Sequence, residues 1–166
     1  MSKNLERLLA ILKAEADVVE SINKGTPFRY KSKQRLILDR GKPFLTKVEP
    51  HSLRGELRQC FQNCFEALLI YPDLSYCEGF ANDDNTLIAV SHAWLVNETG
   101  EVIDPTWKSK RFTNCTYYGV VFNTDFVMEM AEKTLHYGIL DTDYLNDHQL
   151  LQKGFPRNAL HAKFHP

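Results

Sequence analysis

The sequence predicts an α+β fold in which a helix carrying two cysteines packs on an antiparallel β-sheet. Apolar residues recur at helical spacing near the N-terminus and again over residues 60–71. Three β-rich runs follow, "LSYCEGFA", "TLIAVSHAWLV" and "EVIDPTW", separated by the turn sequences Asn-Asp-Asp-Asn and Asn-Glu-Thr-Gly. A helix followed by strands that are joined by short turns predicts a helix and an antiparallel meander.

The length and charge of the chain favour one domain, residues 1–166, that does not bind nucleic acid. A chain of 166 residues can bury a hydrophobic core without the help of disulfide bonds or bound metal ions. Its net charge is -1, so no basic excess indicates a nucleic-acid partner. Charged residues such as Lys3, Glu6 and Arg7 interrupt the first apolar residues, and no apolar run is long enough to span a bilayer. We therefore expect a cytoplasmic protein without a membrane segment.

The N-terminal part, residues 1–25, is predicted to be an amphipathic helix. Its apolar residues are spaced by three or four positions: Leu5, Leu8, Leu9, Leu12, Ala16 and Val19. Gly25 is placed to end this helix before Pro27. Residues 28–48 contain the short mixed runs "RLILD" and "PFLTKV", and these predict peripheral strands or a basic loop rather than a helix.

The second predicted helix, residues 60–71, is closed by Pro72. One of its faces would carry Phe61, Phe65, Leu68 and Leu69, and a neighbouring face Cys60, Cys64 and Ala67. This pattern predicts that the helix is buried on two sides.

Residues 124–166 are predicted to form a helical C-terminal part after a fourth strand at "YYGVVF". Thr124 or Asp125 can cap a helix that runs to about Tyr137. Residues 146–153 predict a short last helix.

The four cysteines are interpreted as free thiols, because no export signal is present and their spacing is not that of a small disulfide scaffold. A zinc site made of Cys60, Cys64, Cys77 and His92 is the alternative. Structural zinc sites usually show two close cysteine pairs, however, and this sequence has one. We therefore expect no bound metal.

Cys60 is the candidate nucleophile. A cysteine at a helix N-terminus lies where backbone N–H groups and the helix dipole stabilise a thiolate, and a nearby imidazolium stabilises it further. His92 can meet the sulfur with one ring nitrogen while Asp104, on the adjoining run, holds the other. A turn at residues 97–100 would bring positions 92 and 104 across from each other or one step apart.

Each of these residues also has an ordinary structural interpretation. Cys60 and Cys64 on an aromatic-rich helix often are small core residues. His92 on a strand is more often a core or surface residue than a base, and Asp104 before Pro105 often only starts a turn. The order and setting of the three residues together favour the catalytic interpretation.

The helix-borne cysteine followed by "YCEGFA", "HAW" and "DPTW" resembles the transglutaminase-like branch of the papain-like cysteine protease superfamily, over about residues 59–107. The resemblance implies a nucleophile-bearing helix packed on an antiparallel sheet, within a catalytic core of residues 55–122. It implies Cys60 as the nucleophile, His92 as the base and acid, and Asp104 as the residue that orients the imidazole.

Two features depart from that family. Its cysteine commonly follows a Gly-x or tryptophan-preceded turn, whereas here it follows "LRGELRQ". Papain-like enzymes also place an oxyanion-hole glutamine several residues before the cysteine, and residues 52–58 contain none. Gln59, together with the backbone N–H of Cys60, is the nearest candidate. Trp94 and Trp107 are candidates for the walls of a substrate cleft.

Members of this superfamily include protein-crosslinking enzymes, peptidases, peptide N-glycanases, amide-forming enzymes and inactive binding modules. The resemblance therefore implies a cysteine-dependent acyl-transfer enzyme that cleaves or forms an amide or ester bond through an acyl-enzyme intermediate. Its substrate would be a peptide, a protein or a small amide, and it would need no cofactor. The alternative is a catalytically silent module that binds a peptide or protein in the same cleft.

Overall fold

The computed structural model describes residues 1–49, 53–107 and 113–166. The helices in this part of the chain are α1 (Lys3–Ile22), α2 (Lys33–Arg40), α3 (Cys60–Ile70), α4 (Thr124–Thr134) and α5 (Gln149–Lys153), with a short 3-10 helix at Asp143–Asn146. The strands are β1 (Lys42–Phe44), β2 (Lys47–Val48), β3 (Ser75–Asn82), β4 (Val90–Val96), β5 (Val102–Ile103) and β6 (Thr116–Val121). The predicted α+β class is confirmed.

The strands form one mixed sheet in the order β1-β6-β3-β4-β5-β2. β3, β4 and β5 pair antiparallel in sequence order, as the turn sequences predict, and β6 pairs antiparallel with β3 and β1. The prediction of a wholly antiparallel sheet is wrong at one edge, because β2 runs parallel to β5.

The two edges of this sheet lie close together. β1 and β2 are the outermost strands of the sheet, yet β1 ends at Phe44 and β2 begins at Lys47. The three residue steps between these positions span at most about 11 Å. The sheet must therefore curl until it is nearly closed.

Side-chain alternation along β3 and β4 gives the sheet two apolar faces. The larger core cluster includes Leu8 and Leu12 of α1, the buried residues of α3, and Tyr76, Phe80, Ala93 and Leu95 of the sheet. The smaller cluster, on the other face, contains Phe44, Cys77, Ala81, Trp94, Val96, Val102, Tyr117 and Val121. Helix α3 packs mainly on β4.

The N-terminal helix is found as predicted, with Leu5, Leu8, Leu12 and Ala16 buried at a spacing of three or four residues. The Ser2 hydroxyl caps it by accepting a hydrogen bond from the N–H of Leu5.

Helix α2 corrects the prediction of strands or a loop throughout residues 28–48. The Ser32 hydroxyl accepts from the N–H of Arg35 at 3.0 Å and so caps the helix, and Leu36 and Ile37 are buried. The side chain of Arg35 also binds Glu20 of α1 at 2.9 Å. Tertiary packing of this kind selects the helix where a short apolar run fits either structure. Strands β1 and β2 confirm the remainder of that prediction.

Two further helices differ from their predictions in detail. The buried side of α3 carries Cys60, Cys64, Ala67 and Leu68, whereas Leu69, predicted to share an apolar face, is 65% exposed. Helix α4 is capped by Asn123 rather than by Thr124 or Asp125, and it ends at Thr134, before Tyr137.

No helix within residues 1–49, 53–107 and 113–166 combines the length and the apolar character that a bilayer span requires.

Candidate active site

Cys60 is the first residue of α3 and is 8% exposed. The exposed residue before it, Gln59, is the N-cap and makes no side-chain hydrogen bond to the helix. First-turn N–H groups have no acceptor within a helix and carry the positive end of its dipole. Arg58 has a φ of 64°, a left-handed conformation that is strained for a residue with a side chain. Such strain is concentrated at functional sites.

The imidazole of His92 lies between the Cys60 thiol and the Asp104 carboxylate. His92 belongs to β4 and is 2% exposed, and its Nε2 atom is 2.8 Å from Oδ2 of Asp104. The Cys60 side chain lies close enough to His92 to contribute to the raised pKa of the imidazole. Because Nε2 faces the carboxylate, Nδ1 is the ring nitrogen that remains for the thiol. The three residues that the sequence singles out are thus adjacent in space.

The strand register explains how His92 meets Asp104. The β4–β5 ladder pairs Val96 with Val102, and its extension would place Asp104 opposite Trp94. His92 is therefore two residues from the position opposite Asp104, which corrects the predicted offset of at most one residue. An even offset keeps both side chains on the same face of the sheet, so they can meet diagonally.

Both oxygens of the fully buried Asp104 carboxylate have partners. Oδ1 accepts hydrogen bonds from the N–H groups of Thr106 and Trp107, each at 2.9 Å, while Oδ2 faces His92. Oδ2 also accepts from the Tyr117 hydroxyl at 2.8 Å. Asp104 therefore stabilises the Asp-Pro turn through one oxygen and orients the imidazole through the other, so the two interpretations of this residue are compatible.

The electrostatics of the buried pair favour an imidazolium that faces a carboxylate. Burial lowers the pKa of His92, but the charge of Asp104 and hydrogen bonds to Asp104 and Cys60 outweigh it and raise that pKa above the usual histidine value. Burial raises the pKa of Asp104, but the charge and hydrogen bond of His92, with further donors, hold it below the usual value. Each group thus stabilises the charged form of the other.

The two tryptophans that were candidates for cleft walls lie in different places. Trp107 is half-buried and stacks on His92, with ring centroids 3.9 Å apart and 17° between the planes. Trp94 is fully buried and packs against Phe44 and Tyr117 in the smaller core cluster. Its prediction as a cleft wall is wrong, because its ring does not reach solvent. Trp107 covers one face of the imidazole.

Asn63, which the sequence analysis did not single out, ties together the loops on either side of the site. Its Nδ2 atom donates to the Glu56 carbonyl at 2.7 Å and to the Thr106 hydroxyl at 2.8 Å. Its Oδ1 atom accepts from the N–H of Glu56 at 3.2 Å. The loop before Cys60 is thereby fixed to the loop after Asp104. The sequence feature that could have pointed to Asn63 is its position as a polar residue one helical turn after Cys60.

Gly55 completes this connection by donating its N–H to the Pro105 carbonyl at 3.0 Å. A Cβ atom at Gly55 would stand 2.0 Å from Cγ of Asn63, so only glycine allows the approach. A cavity of about 170 Å³ opens beside these loops. It is lined by Leu53, Arg54, Gly55, Asn63, Glu66, Ala67, Ile70, Tyr71 and Pro105.

The other three cysteines lie in different surroundings. All four cysteines are free, and Cys64 and Cys77 are fully buried, while Cys115 is half-buried. Burial raises the pKa of the Cys64 and Cys77 thiols well above the usual value and that of Cys115 to about 12. Among the described residues, no three His, Cys, Asp or Glu side chains are grouped to hold a metal ion, so the zinc alternative considered above is not assembled.

The arrangement can hold the imidazole in one tautomer beside a thiol, a geometry that lets a proton pass between sulfur and a bound molecule. Comparison of the chain with protein-family models, curated proteins and solved structures gave no match. The chemical interpretation of the site therefore rests on its geometry.

Proposed function

We propose that this chain is a cysteine-dependent acyl-transfer enzyme that cleaves or forms an amide or ester bond through Cys60, His92 and Asp104. The observation that carries the proposal is the position of the His92 imidazole, which lies 2.8 Å from the Asp104 carboxylate and beside the Cys60 thiol at the start of α3. A helix start, a strand and the end of the next strand supply the three groups, in the order expected of a transglutaminase-like core.

In the first half of the reaction, His92 holds the proton of the Cys60 thiol, and the thiolate attacks the carbonyl carbon of the substrate. The oxygen of the tetrahedral intermediate takes the negative charge, and the Cys60 N–H and Gln59 are the donors that we propose for it. The bond from carbon to the leaving amine or alkoxide then breaks as His92 donates its proton to the leaving group. A thioester on Cys60 remains.

In the second half, water or an amine attacks the thioester while His92 accepts its proton. The carbon–sulfur bond breaks, Cys60 leaves as a thiolate, and the product is an acid or a new amide. Asp104 keeps Nε2 protonated throughout, so Nδ1 is always the nitrogen that exchanges the proton with sulfur and substrate. Peptides, proteins and small amides all fit this chemistry.

The experiment that tests the proposal is trapping of the acyl-enzyme. The protein is mixed with 4-nitrophenyl acetate near neutral pH, and the acetylated residue is located by peptide mass spectrometry. We expect nitrophenol release with acetyl transfer to Cys60, and neither in His92→Ala, which removes the base. The control is the thermal unfolding of His92→Ala, which should show a folded protein. Acetylation spread evenly over the cysteines would contradict the proposal.

A second function is favoured by one observation, the low exposure of the site. Cys60 is 8% exposed and His92 is 2% exposed, with Trp107 stacked over the imidazole. A catalytically silent module would bind a peptide or protein at this surface without acyl transfer. That function predicts a Cys60 thiol inert to iodoacetamide at neutral pH in a folded protein, whereas the enzyme predicts selective alkylation.

A further inference from the structure

Glu78, in the middle of β3, is a buried carboxylate that the proposed chemistry does not use. It is 1% exposed and accepts hydrogen bonds from backbone N–H groups. Its oxygens accept from the N–H groups of Ile139, Leu140 and Asp141, the last two at 2.9 and 3.3 Å. The Tyr76 hydroxyl donates to the same carboxylate at 2.7 Å. One side chain thus holds three consecutive peptide groups of a distant segment.

That segment, residues 138–142, packs against the residue that follows the nucleophile. Gly138 has a φ of 91°, and a Cβ atom there would stand 3.3 Å from Cδ1 of Phe61. Phe61 is the neighbour of Cys60 in the first turn of α3. Movement of the segment would therefore release the ring that packs beside the start of the helix.

The same segment also contacts the residue that precedes the base. The Ser91 hydroxyl donates to Oδ1 of Asp141 at 3.3 Å, and Ser91 is the neighbour of His92 in β4. In the sheet, Glu78 lies opposite Ala93, the residue on the other side of His92. The segment that Glu78 holds thus contacts the neighbours of both reacting residues.

A buried carboxylate is a costly way to hold a loop, because desolvation disfavours the charge. Burial raises the pKa of Glu78 to about 7, even though four donors stabilise the charged form. The buried charge of Glu78 is unfavourable by itself, but all of its hydrogen bonds are formed. Such a buried, fully hydrogen-bonded group is expected where the position of the bound segment must be fixed.

We infer that Glu78 is a positioning residue, which holds residues 138–142 against Phe61 and Ser91 and so keeps Cys60 and His92 aligned. This inference rests on the proposed function, since alignment matters only if the two residues react together. Glu78 does not touch the reacting atoms and acts through the segment that it binds.

The test compares Glu78→Gln with Asp143→Asn, a matched control from the same chain. Asp143 is also 1% exposed, and it accepts from the N–H groups of Leu150 and Leu151 at 3.0 and 3.2 Å. Both variants therefore weaken a buried carboxylate that holds backbone amides. The readout is the rate at which iodoacetamide alkylates Cys60, measured by peptide mass spectrometry at a temperature where circular dichroism shows both variants folded.

We expect Glu78→Gln to slow alkylation of Cys60 about tenfold, because small misplacements of reacting groups have large effects on rate. Asp143→Asn should stay within about twofold of the wild type, since its partners do not touch the neighbours of the reacting residues.

Ser91→Ala serves as a second variant, because it breaks the contact with Asp141 without changing a buried charge. We expect alkylation of Cys60 in Ser91→Ala to be about two- to threefold slower than in Asp143→Asn. If Glu78→Gln does not fold, this comparison tests whether the segment positions the reacting residues. If the folded variants alkylate Cys60 at the same rate as Asp143→Asn, the inference about Glu78 is overturned. The proposed function would still stand in that case, provided that Cys60 of the wild type is reactive. A wild-type Cys60 that alkylates no faster than Cys115 would instead overturn both.

Discussion

The first and second turns of α3 each carry a buried cysteine, and the surroundings of the two thiols differ. Cys60, in the first turn, is 8% exposed and lies beside His92. Cys64, one turn later, is fully buried in the larger core cluster, and burial raises the pKa of its thiol well above the usual value. A single helical turn, about 5.4 Å, separates a thiol beside a base from a thiol in the core.

This difference shows that the position on the helix, and not the presence of a cysteine, determines the chemistry. The free N–H groups and the dipole act within the first turn only. The loop that Asn63 ties to Thr106 brings this turn to the end of β5, next to Asp104. Cys64, in the second turn, lies in the larger core cluster and has the properties of a small core residue.

The largest expected effect is that of exchanging each thiol for a hydroxyl. Cys60→Ser should slow acetylation by 4-nitrophenyl acetate on the order of 10⁴-fold, because an alcohol is a weak nucleophile beside this imidazole. Cys64→Ser should change the rate less than about threefold and lower the stability by about 1–3 kcal/mol, because it buries a hydroxyl. Burst kinetics and urea unfolding measure both effects. An inactive Cys64→Ser with an active Cys60→Ser would place the nucleophile in the second turn.

Asp104→Asn should have the next largest effect. The amide keeps the shape of the side chain but leaves the imidazole in the wrong tautomer and its positive charge without a partner. We expect acetylation of Cys60 to fall about 10²-fold, less than in a serine enzyme, because a thiolate needs less assistance from the third residue. The rate is compared with the melting temperature of the same variant. A lower melting temperature with an unchanged rate would mean that Asp104 only stabilises the Asp-Pro turn.

Tyr117→Phe should have the smallest effect of the three. It removes the hydroxyl that donates to Oδ2 of Asp104, while the bond to His92 and those from Thr106 and Trp107 remain. We expect a stability loss of about 1 kcal/mol and a rate decrease of about two- to fivefold. Urea unfolding and the same acetylation assay measure these changes. A decrease as large as that of Asp104→Asn would give Tyr117 a direct part in the reaction.

The sequence predicts the parts of the site that are close along the chain. His92 and Asp104 lie on strands joined by one turn, so alternation and turn chemistry are enough to bring them near each other. The helix that begins at Cys60 follows from apolar spacing, and Pro72 predicts where it ends. The contact between His92 and Asp104 could therefore be predicted from the sequence. The strand register was predicted less well, since His92 lies two residues from the position opposite Asp104.

The supporting residues could not be predicted because their partners are distant in sequence. Glu78 binds amides 61 to 63 residues away, and Tyr117 reaches Asp104 from β6, which pairs with β3 and β1 rather than with β5. Similarly, α2 packs on the fold through the buried Leu36 and Ile37 and contacts Glu20 of α1 through Arg35, whereas the run "RLILD" by itself fits a strand. The local sequence pattern thus predicts helices and strands, whereas the contacts that support the site can be known only from the folded structure.

The central claim, that Cys60 is the activated thiol, is tested most directly by the relative alkylation rates of the four cysteines in the folded protein. Iodoacetamide is added near pH 7.5, and each cysteine-containing peptide is quantified by mass spectrometry against time. The informative comparison is with Cys115, which is half-buried and therefore more exposed than Cys60, but has a pKa raised by burial to about 12. Because a raised pKa leaves little thiolate at this pH, our account predicts that Cys60 reacts about tenfold faster or more, despite its lower exposure. Alkylation of Cys115 as fast as that of Cys60 would mean that exposure alone governs reactivity, and it would contradict the account.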